Sequence, residues 1–595
     1  YVIRNYFHTI DLDPGYRIAE EGELKLLKYD VVKDLLEQEY EENSESFQHF
    51  TEVFASGKTD DEMIELILKL YEFSMSHPWP KEWLEECKRA YEIQSAQELN
   101  ESVWIDKLWV DVQKNLEQAW EWNQEFQKIV AMSDGPYMYE ENGILDRQYI
   151  KNLLEKCKER DFDGFSSLMR TFKFSTLSRK KDDTVHLEKR EQAKKCRDQL
   201  KDILADVKER YFYGDSQQIL KEIAICRNPV HELIRLTKTF IDDFSQKKRQ
   251  KNIVDFSDIE HFALDILVKK EGETLIYTPA ADEFSHRFEE LLIDEYQDSN
   301  LVQETLLQSV SKLRFGQHNI FMVGDVKQSI YRFRLARPEL FMEKYRTYSK
   351  EEGECQRIDL HKNFRSRPSV LSCANYICEQ IMTKELGDVE YDADAALYPG
   401  AEFPQIPTET NTKHAAEILF VQQDEELLED EQGEINAQEL EARMIGNRIL
   451  EIVGKELVLD KSTGEYRPAR YQDCVILLRT ISGWGDNFVK ILMEMGIPAY
   501  STSKTGYFSA VEVVTILNYL HICDNPMQEI PFTGVLLSPI GGCTAIDLAK
   551  LKGASSKKKL YDAVWEYCES GEDANLRKKL LYFKQMYERI RERVP

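Results

Sequence analysis

Basic residues are scarce against acidic ones: 78 Lys and Arg face 107 Asp and Glu, a formal net charge of −29 over 595 residues. That balance excludes a surface coated in positive charge for indiscriminate nucleic-acid binding, while leaving room for a local basic groove. No apolar run reaches membrane-spanning length, and no leader of the charged-then-apolar type opens the chain. A cytoplasmic protein without a membrane partner is expected. The 11 cysteines are scattered, with Cys373 and Cys378 the closest pair and no C-x-x-C. That spacing excludes a disulfide framework or a zinc cluster and predicts reduced thiols.

A glycine-rich phosphate loop is also missing. The nearest match, Gly57-Lys58-Thr59, has Glu52 where G-x-x-x-x-G-K-[ST] needs its first glycine, and Asp60 and Asp61 follow it. No apolar strand precedes it, so Thr59 or Asp60 is predicted to cap the next helix instead. The length predicts three to five domains. The first residue is Tyr, not Met, and the chain is expected to be an excised or truncated piece.

What is present falls into two textures. Residues 1–250 have apolar residues at helical spacing, as in Met63, Ile64, Ile67, Leu70 and Tyr71. Long helices are predicted over 105–130 and 188–211. Basic clusters at 179–181, 194–197 and 247–251, and acidic ones at 37–45 and 424–434, read as solvated faces. From residue 252 strands and helices alternate, which predicts an α/β fold with a parallel sheet. Strands are expected at 291–293, 319–323, 418–421 and 474–478, and helices at 302–313, 368–381, 437–453 and 488–495. Helical patterns return after Glu512.

The first of those strands leads from Leu291-Leu292-Ile293 into Asp294-Glu295-Tyr296-Gln297-Asp298. Two carboxylates beyond the carboxyl end of a buried strand suit phosphoryl transfer, one helping to hold Mg²⁺ and the other orienting water. The second leads into Gly324-Asp325-Val326-Lys327-Gln328-Ser329-Ile330-Tyr331-Arg332-Phe333-Arg334. Core packing is the alternative for Tyr331 and Phe333. Their alternation with Arg332 and Arg334 suits a half-exposed segment, and aromatic rings stack on any base.

These two runs, with Asn363-Phe364-Arg365-Ser366, resemble motifs II, III and IV of the UvrD/Rep/PcrA-type superfamily 1 helicases, in family order. Within that superfamily, Asp13-Pro14-Gly15-Tyr16-Arg17, Ser76-His77-Pro78-Trp79-Pro80 and Leu335-Ala336-Arg337-Pro338-Glu339 resemble the AddA (RexA) family, the helicase–nuclease subunits of AddAB enzymes.

The resemblance implies RecA-like core domains with large, mostly helical insertions. The expected division is 1–250 as a 1B-like helical domain, 251–355 as a partial 1A, 356–505 as 2A and 506–595 as a partial 2B. It implies ATP and Mg²⁺ as cofactors, single- and double-stranded DNA as substrates, and an AddB-like (RexB-like) partner. By resemblance, Asp294 engages the metal, Glu295 positions the attacking water and Arg365 is the arginine finger. Gln328 senses the γ-phosphate and Phe364 stacks on adenine. Tyr331, Phe333 and Arg334 contact single-stranded DNA. The pattern departs from the family in lacking Walker A, motifs V and VI and a nuclease domain. The chain is therefore expected to be the central part of a 3′→5′ DNA helicase/exonuclease subunit, inactive as an ATPase by itself. The alternative expectation is a degenerate helicase-like subunit that guides DNA without ATP hydrolysis.

Overall fold

The computed structural model describes all residues except 56, 58, 181, 333–334, 385–388, 408–413, 422–436, 482, 502–509, 555–558 and 593–595. It separates into two compact units, Tyr1–Asp359 and Leu360–Pro595.

In the first unit, α1 (Val2–Tyr6) and β1 (Arg17–Ile18) precede α2 (Glu21–Glu42), α3 (Glu45–Phe54), α4 (Asp61–Ser74) and α5 (Pro80–Arg89). Then come α6 (Ala96–Asn100), α7 (Val103–Val130), α8 (Glu140–Glu159), α9 (Phe162–Thr171), α10 (Leu187–Tyr211) and α11 (Ser216–Gln250). Several separate hydrophobic cores form here, two of them large. In the first, Val32, Leu36, Phe50 and Ile67 pack on Leu236 and Phe240 of α11. In the second, Val112, Leu116, Leu153 and Phe165 pack on Leu200 and Leu204 of α10. Helix α11, with 35 residues, is about 52 Å long and reaches both. Pro229 lies inside it, between the turns that serve each core. Beside that proline, Arg227 donates to the carbonyls of Tyr91 (2.9 Å) and Ile93 (3.0 Å), just beyond the end of α5.

Asp60 does occupy the N-cap position of α4, but its carboxylate accepts from the Tyr40 hydroxyl at 2.8 Å and from no helix amide. Lys58 lies outside the described residues. Two of the basic clusters are not wholly solvated. Arg197 is fully buried, with Nε 2.6 Å from Asp146 Oδ2. Lys248 is buried between Asp255 (2.8 Å) and Asp258 (2.6 Å). Each cluster turns one cation inward because a buried carboxylate needs a counter-charge.

The α/β part follows. β2 (Ile253–Val254) pairs parallel with β1. The capping box of Asp255 and Asp258 starts α12 (Phe256–Leu267). β3 (Val268–Glu271) and β4 (Thr274–Tyr277) form a hairpin, with Gly272 at φ +61° in the tight turn. α13 (Pro279–Arg287) leads to β5 (Leu291–Ile293), and α14 (Leu301–Val310) crosses to β6 (Ile320–Met322), parallel to β5. The predicted helix at 302–313 stops at Val310, and a 3₁₀ turn, Leu313–Phe315, replaces its last residues. The core beneath joins Leu264, Phe284 and Val302 to Ile3 of α1. The first residues thus pack with the α/β part, not with the helices that follow them. α15 (Pro338–Thr347) closes the unit.

In the second unit, β7 (Lys362–Asn363) pairs parallel with β8 (Tyr398–Pro399) around α16 (Pro368–Ile381). α17 (Ala437–Ile452), the hairpin of β9 (Leu457–Leu459) and β10 (Tyr466–Pro468), and α18 (Gly485–Glu494) follow. The expected strands at 418–421 and 474–478 form no ladder among the described residues. Ile476 and Leu478 pack on Phe488 and Ala442 while Val475 and Leu477 face solvent. The period-2 burial of a strand is present at 475–478 without a ladder partner among the described residues. Helices α19 (Val511–Asp524), α20 (Glu529–Leu537), α21 (Ala545–Ala554), α22 (Leu560–Ser570) and α23 (Ala574–Arg591) enclose a separate core around Phe532, Leu536, Val564 and Phe583.

Candidate functional site

The parallel pairing of β5 and β6 places both motif loops at the carboxyl ends of neighbouring strands, where open α/β sheets bind ligands. Asp294 and Glu295 are both exposed there. Glu295 adopts a left-handed backbone, φ +49°, a conformation a non-glycine residue keeps only when its surroundings hold it. The Asp294 carboxylate accepts the Glu295 amide at 2.9 Å, and the Glu295 carbonyl accepts the Asp298 amide at 2.9 Å. The Tyr296 amide donates to the Val323 carbonyl at 2.9 Å, which carries the β5–β6 ladder one step beyond the strands.

Gln297 was not among the residues singled out from the sequence, and it ties the site together. It is 1% exposed. Its Nε2 donates to Glu295 Oε2 at 2.7 Å, and its Oε1 accepts the Asp325 amide at 3.0 Å. One primary amide, both donor and acceptor, thus joins the loop after β5 to the loop after β6. Gly324 makes room for it, since a Cβ there would lie 2.6 Å from Gln297 Oε1. The signal was present in the sequence: an amide inside a run of carboxylates has a donor to give them. Beneath, the Tyr296 hydroxyl donates to buried Glu304, which also pairs with Lys344 at 3.0 Å. Burial pushes the Tyr296 hydroxyl well up. Burial opposes ionisation of Glu304, but Tyr296 and Lys344 together hold its carboxyl below the ordinary value. Behind β5 and β6 this network borders a cavity of about 260 Å³.

The Asp325 carboxylate gathers the loop after β6. It accepts the Lys327 amide (3.1 Å), pairs with Lys327 Nζ (2.9 Å) and accepts Gln328 Nε2 (3.0 Å). Gln328 is exposed on the short 3₁₀ turn Val326–Gln328. Tyr331 is 38% exposed. Phe333 and Arg334 lie outside the described residues.

Phe364 and Arg365 belong to the second unit. There the Asn363 carboxamide accepts the amides of Arg365 (2.9 Å) and Ser366 (2.8 Å), an Asx turn that projects the two side chains. Phe364 is 68% exposed and its ring lies over Gly400. Arg365 is exposed and its side chain has no partner among the described residues. Arg367, two residues on, is committed: it bonds the Tyr466 hydroxyl at 2.7 Å and stacks on Phe403.

No cluster of three or more metal-ligating side chains occurs among the described residues. Mg²⁺ held with a nucleotide keeps its waters and takes one or two carboxylates plus substrate phosphates. Asp294, with one oxygen on its neighbour's amide and the other without a partner among the described residues, has the donor chemistry for such a site.

Residues 1–349 match the UvrD/REP helicase N-terminal domain, and residues 358–573 match the UvrD-like helicase C-terminal domain. Three curated proteins, all ATP-dependent helicase/nuclease A subunits, are similar over nearly the whole chain. That of Lachnoclostridium phytofermentans is 44% identical over 95% of this chain and 43% of its own length. Those of Alkaliphilus oremlandii (39%; 98% and 47%) and Clostridium perfringens strain 13 (36%; 100% and 49%) are similar over comparable spans. The chain therefore spans about half the length of the curated relatives it matches. With both domain matches in chain order and the motif II and III loops side by side, this chain belongs to the UvrD/Rep helicase family and is similar throughout to the helicase/nuclease A subunits within it.

Proposed function

We propose that the chain supplies the central helicase part of an ATP-dependent 3′→5′ DNA helicase/exonuclease subunit that processes double-strand breaks with an AddB-like partner. The observation that supports this most is the joining of Glu295 to the Asp325 loop through buried Gln297. It makes the carboxylate pair and the Gln328 turn one mechanical unit. Bound MgATP would supply the phosphoryl transfer that drives movement along DNA. Asp294 would hold the metal, and Glu295 would orient and deprotonate water. The Gln328 side chain, exposed and held among the described residues only to Asp325, is free to exchange that bond for one to a phosphate oxygen. Arg365 would stabilise charge on the transferring group, and Phe364 would stack on the base. Tyr331, followed by Phe333 and Arg334, would line the single-stranded DNA track.

In this reading 251–355 form part of a 1A domain together with the N-terminal segment around Ile3. Residues up to 250 are otherwise 1B-like, 356–505 are 2A and 506–595 are part of 2B. No phosphate loop occurs in the 595 residues. The protein by itself is accordingly expected to hydrolyse ATP no faster than background, with or without DNA. DNA-stimulated hydrolysis by this chain that Glu295→Gln abolishes would overturn that expectation. In the full-length protein, Glu295→Gln should lower DNA-stimulated hydrolysis by about 10²–10⁴-fold.

A further inference from the structure

The segment that follows the Gln328 turn is pinned from an unexpected side. Leu335 is left-handed, φ +63°, an uncommon conformation for a branched residue. Two amide hydrogen bonds flank it: Leu335 N–H to the Arg332 carbonyl and Arg337 N–H to the Ser299 carbonyl, each 2.9 Å. Arg337 is the N-cap of α15 but caps no helix amide with its side chain. Its guanidinium instead reaches His77, with Nη2 3.2 Å from Nε2.

His77 stands between α4 and α5, far from Arg337 in sequence. It is 9% exposed and stacks on Trp83 with ring centres 4.5 Å apart. An arginine nitrogen only donates, so His77 Nε2 must be the unprotonated acceptor, with the ring proton on Nδ1. Burial, followed by the charge of Arg337, lowers the His77 pKa to about 4, which keeps the imidazole neutral and accepting at physiological pH. Arg337 therefore joins three segments: the loop after β5, the exit of the loop after β6, and the helical region.

We propose that His77 is a positioning residue beside the nucleic-acid-facing segment: by accepting the Arg337 guanidinium, it lets the helical region fix the left-handed turn at Leu335. The role rests on the reading of Tyr331 as part of the DNA track, whereas the contact and its effect on the turn do not.

The test is amide hydrogen exchange of the 595-residue protein. In His77→Ala, the Leu335 and Arg337 amides should exchange faster by on the order of tenfold. In His77→Gln, which keeps an acceptor at similar reach, they should stay within about twofold of wild type, a rescue that loss of ring packing alone would not give. Amides of α4 and α5 serve as the internal control. Should these also accelerate in His77→Ala, Arg337→Ala decides, because it leaves the helical core intact and should accelerate the same two amides. Unchanged exchange at Leu335 and Arg337 in both alanine variants overturns the proposal. Anisotropy with a labelled oligo-dT tests the reading beneath it. An affinity that Tyr331→Ala leaves unchanged removes that residue from the DNA track, while the exchange result still decides whether His77 sets the turn.

Discussion

The loop after β5 and the turn after β7 both present charged side chains on a fixed backbone, and they fix it differently. At Glu295 the side chain itself is held, by buried Gln297 at 2.7 Å. At Arg365 only the backbone is held, by Asn363 at 2.9 Å, and the guanidinium is left without a partner among the described residues. A carboxylate that must order a water needs its oxygens aimed before substrate arrives. A guanidinium that meets a phosphoryl group contributes most if it is not already spent on a carboxylate. Under the proposed roles of Glu295 and Arg365, side-chain cross-linking in the first case and backbone pinning in the second match those opposite needs.

Breaking the cross-link should have the largest effect. Gly324→Ala would drive a Cβ to 2.6 Å from Gln297 Oε1, and a fully buried amide has little room to yield. A cost of about 2–3 kcal/mol is expected, read from denaturant-dependent exchange of the β5 and β6 amides. Acid should come next, through His77 in the first unit. His77 has a folded pKa of about 4, below its ordinary value of about 6.5. Above pH 6.5 the ring is neutral folded or unfolded and adds nothing. As pH falls from 6.5 towards 4, the unfolded chain takes up a proton that the folded one refuses, and stability declines by at most about 3 kcal/mol. In His77→Gln the portion of that decline between pH 6.5 and 5 should vanish. Asn363→Ala, which leaves two amides of an exposed turn to water, should cost only about 1 kcal/mol in the second unit.

The unequal legibility of the chain follows the same division between local and distant causes. Helices α7 and α10 were readable because their apolar spacing is local, and β5 and β6 because short apolar runs end at polar motif loops. The runs at 418–421 and 474–478 had the same text, yet a strand also needs a neighbour, and no local pattern supplies one. Arg197 and Lys248 looked like solvated charge because their counter-ions, Asp146 and the pair Asp255 and Asp258, are visible only once helices pack. Asp294, Glu295 and Gln328 were legible as a motif. Gln297 as their link was not, because its two partners lie on either side of a strand crossover.

The smallest effect on stability should accompany one of the largest on function. Arg365→Ala removes an exposed side chain with no partner among the described residues, so the second unit should unfold within about 0.5 kcal/mol of wild type. In the full-length protein the same change should lower DNA-stimulated ATP hydrolysis by about 10³-fold or more, the scale of an arginine finger. Arg365→Lys should recover little of it, because a point charge cannot span two phosphoryl oxygens as a planar fork does. If Arg365→Ala instead destabilised the second unit by about 2 kcal/mol, as loss of a committed buried group does, Arg365 would be a structural cation like Arg367. The contrast between a held carboxylate and a free guanidinium would then fail.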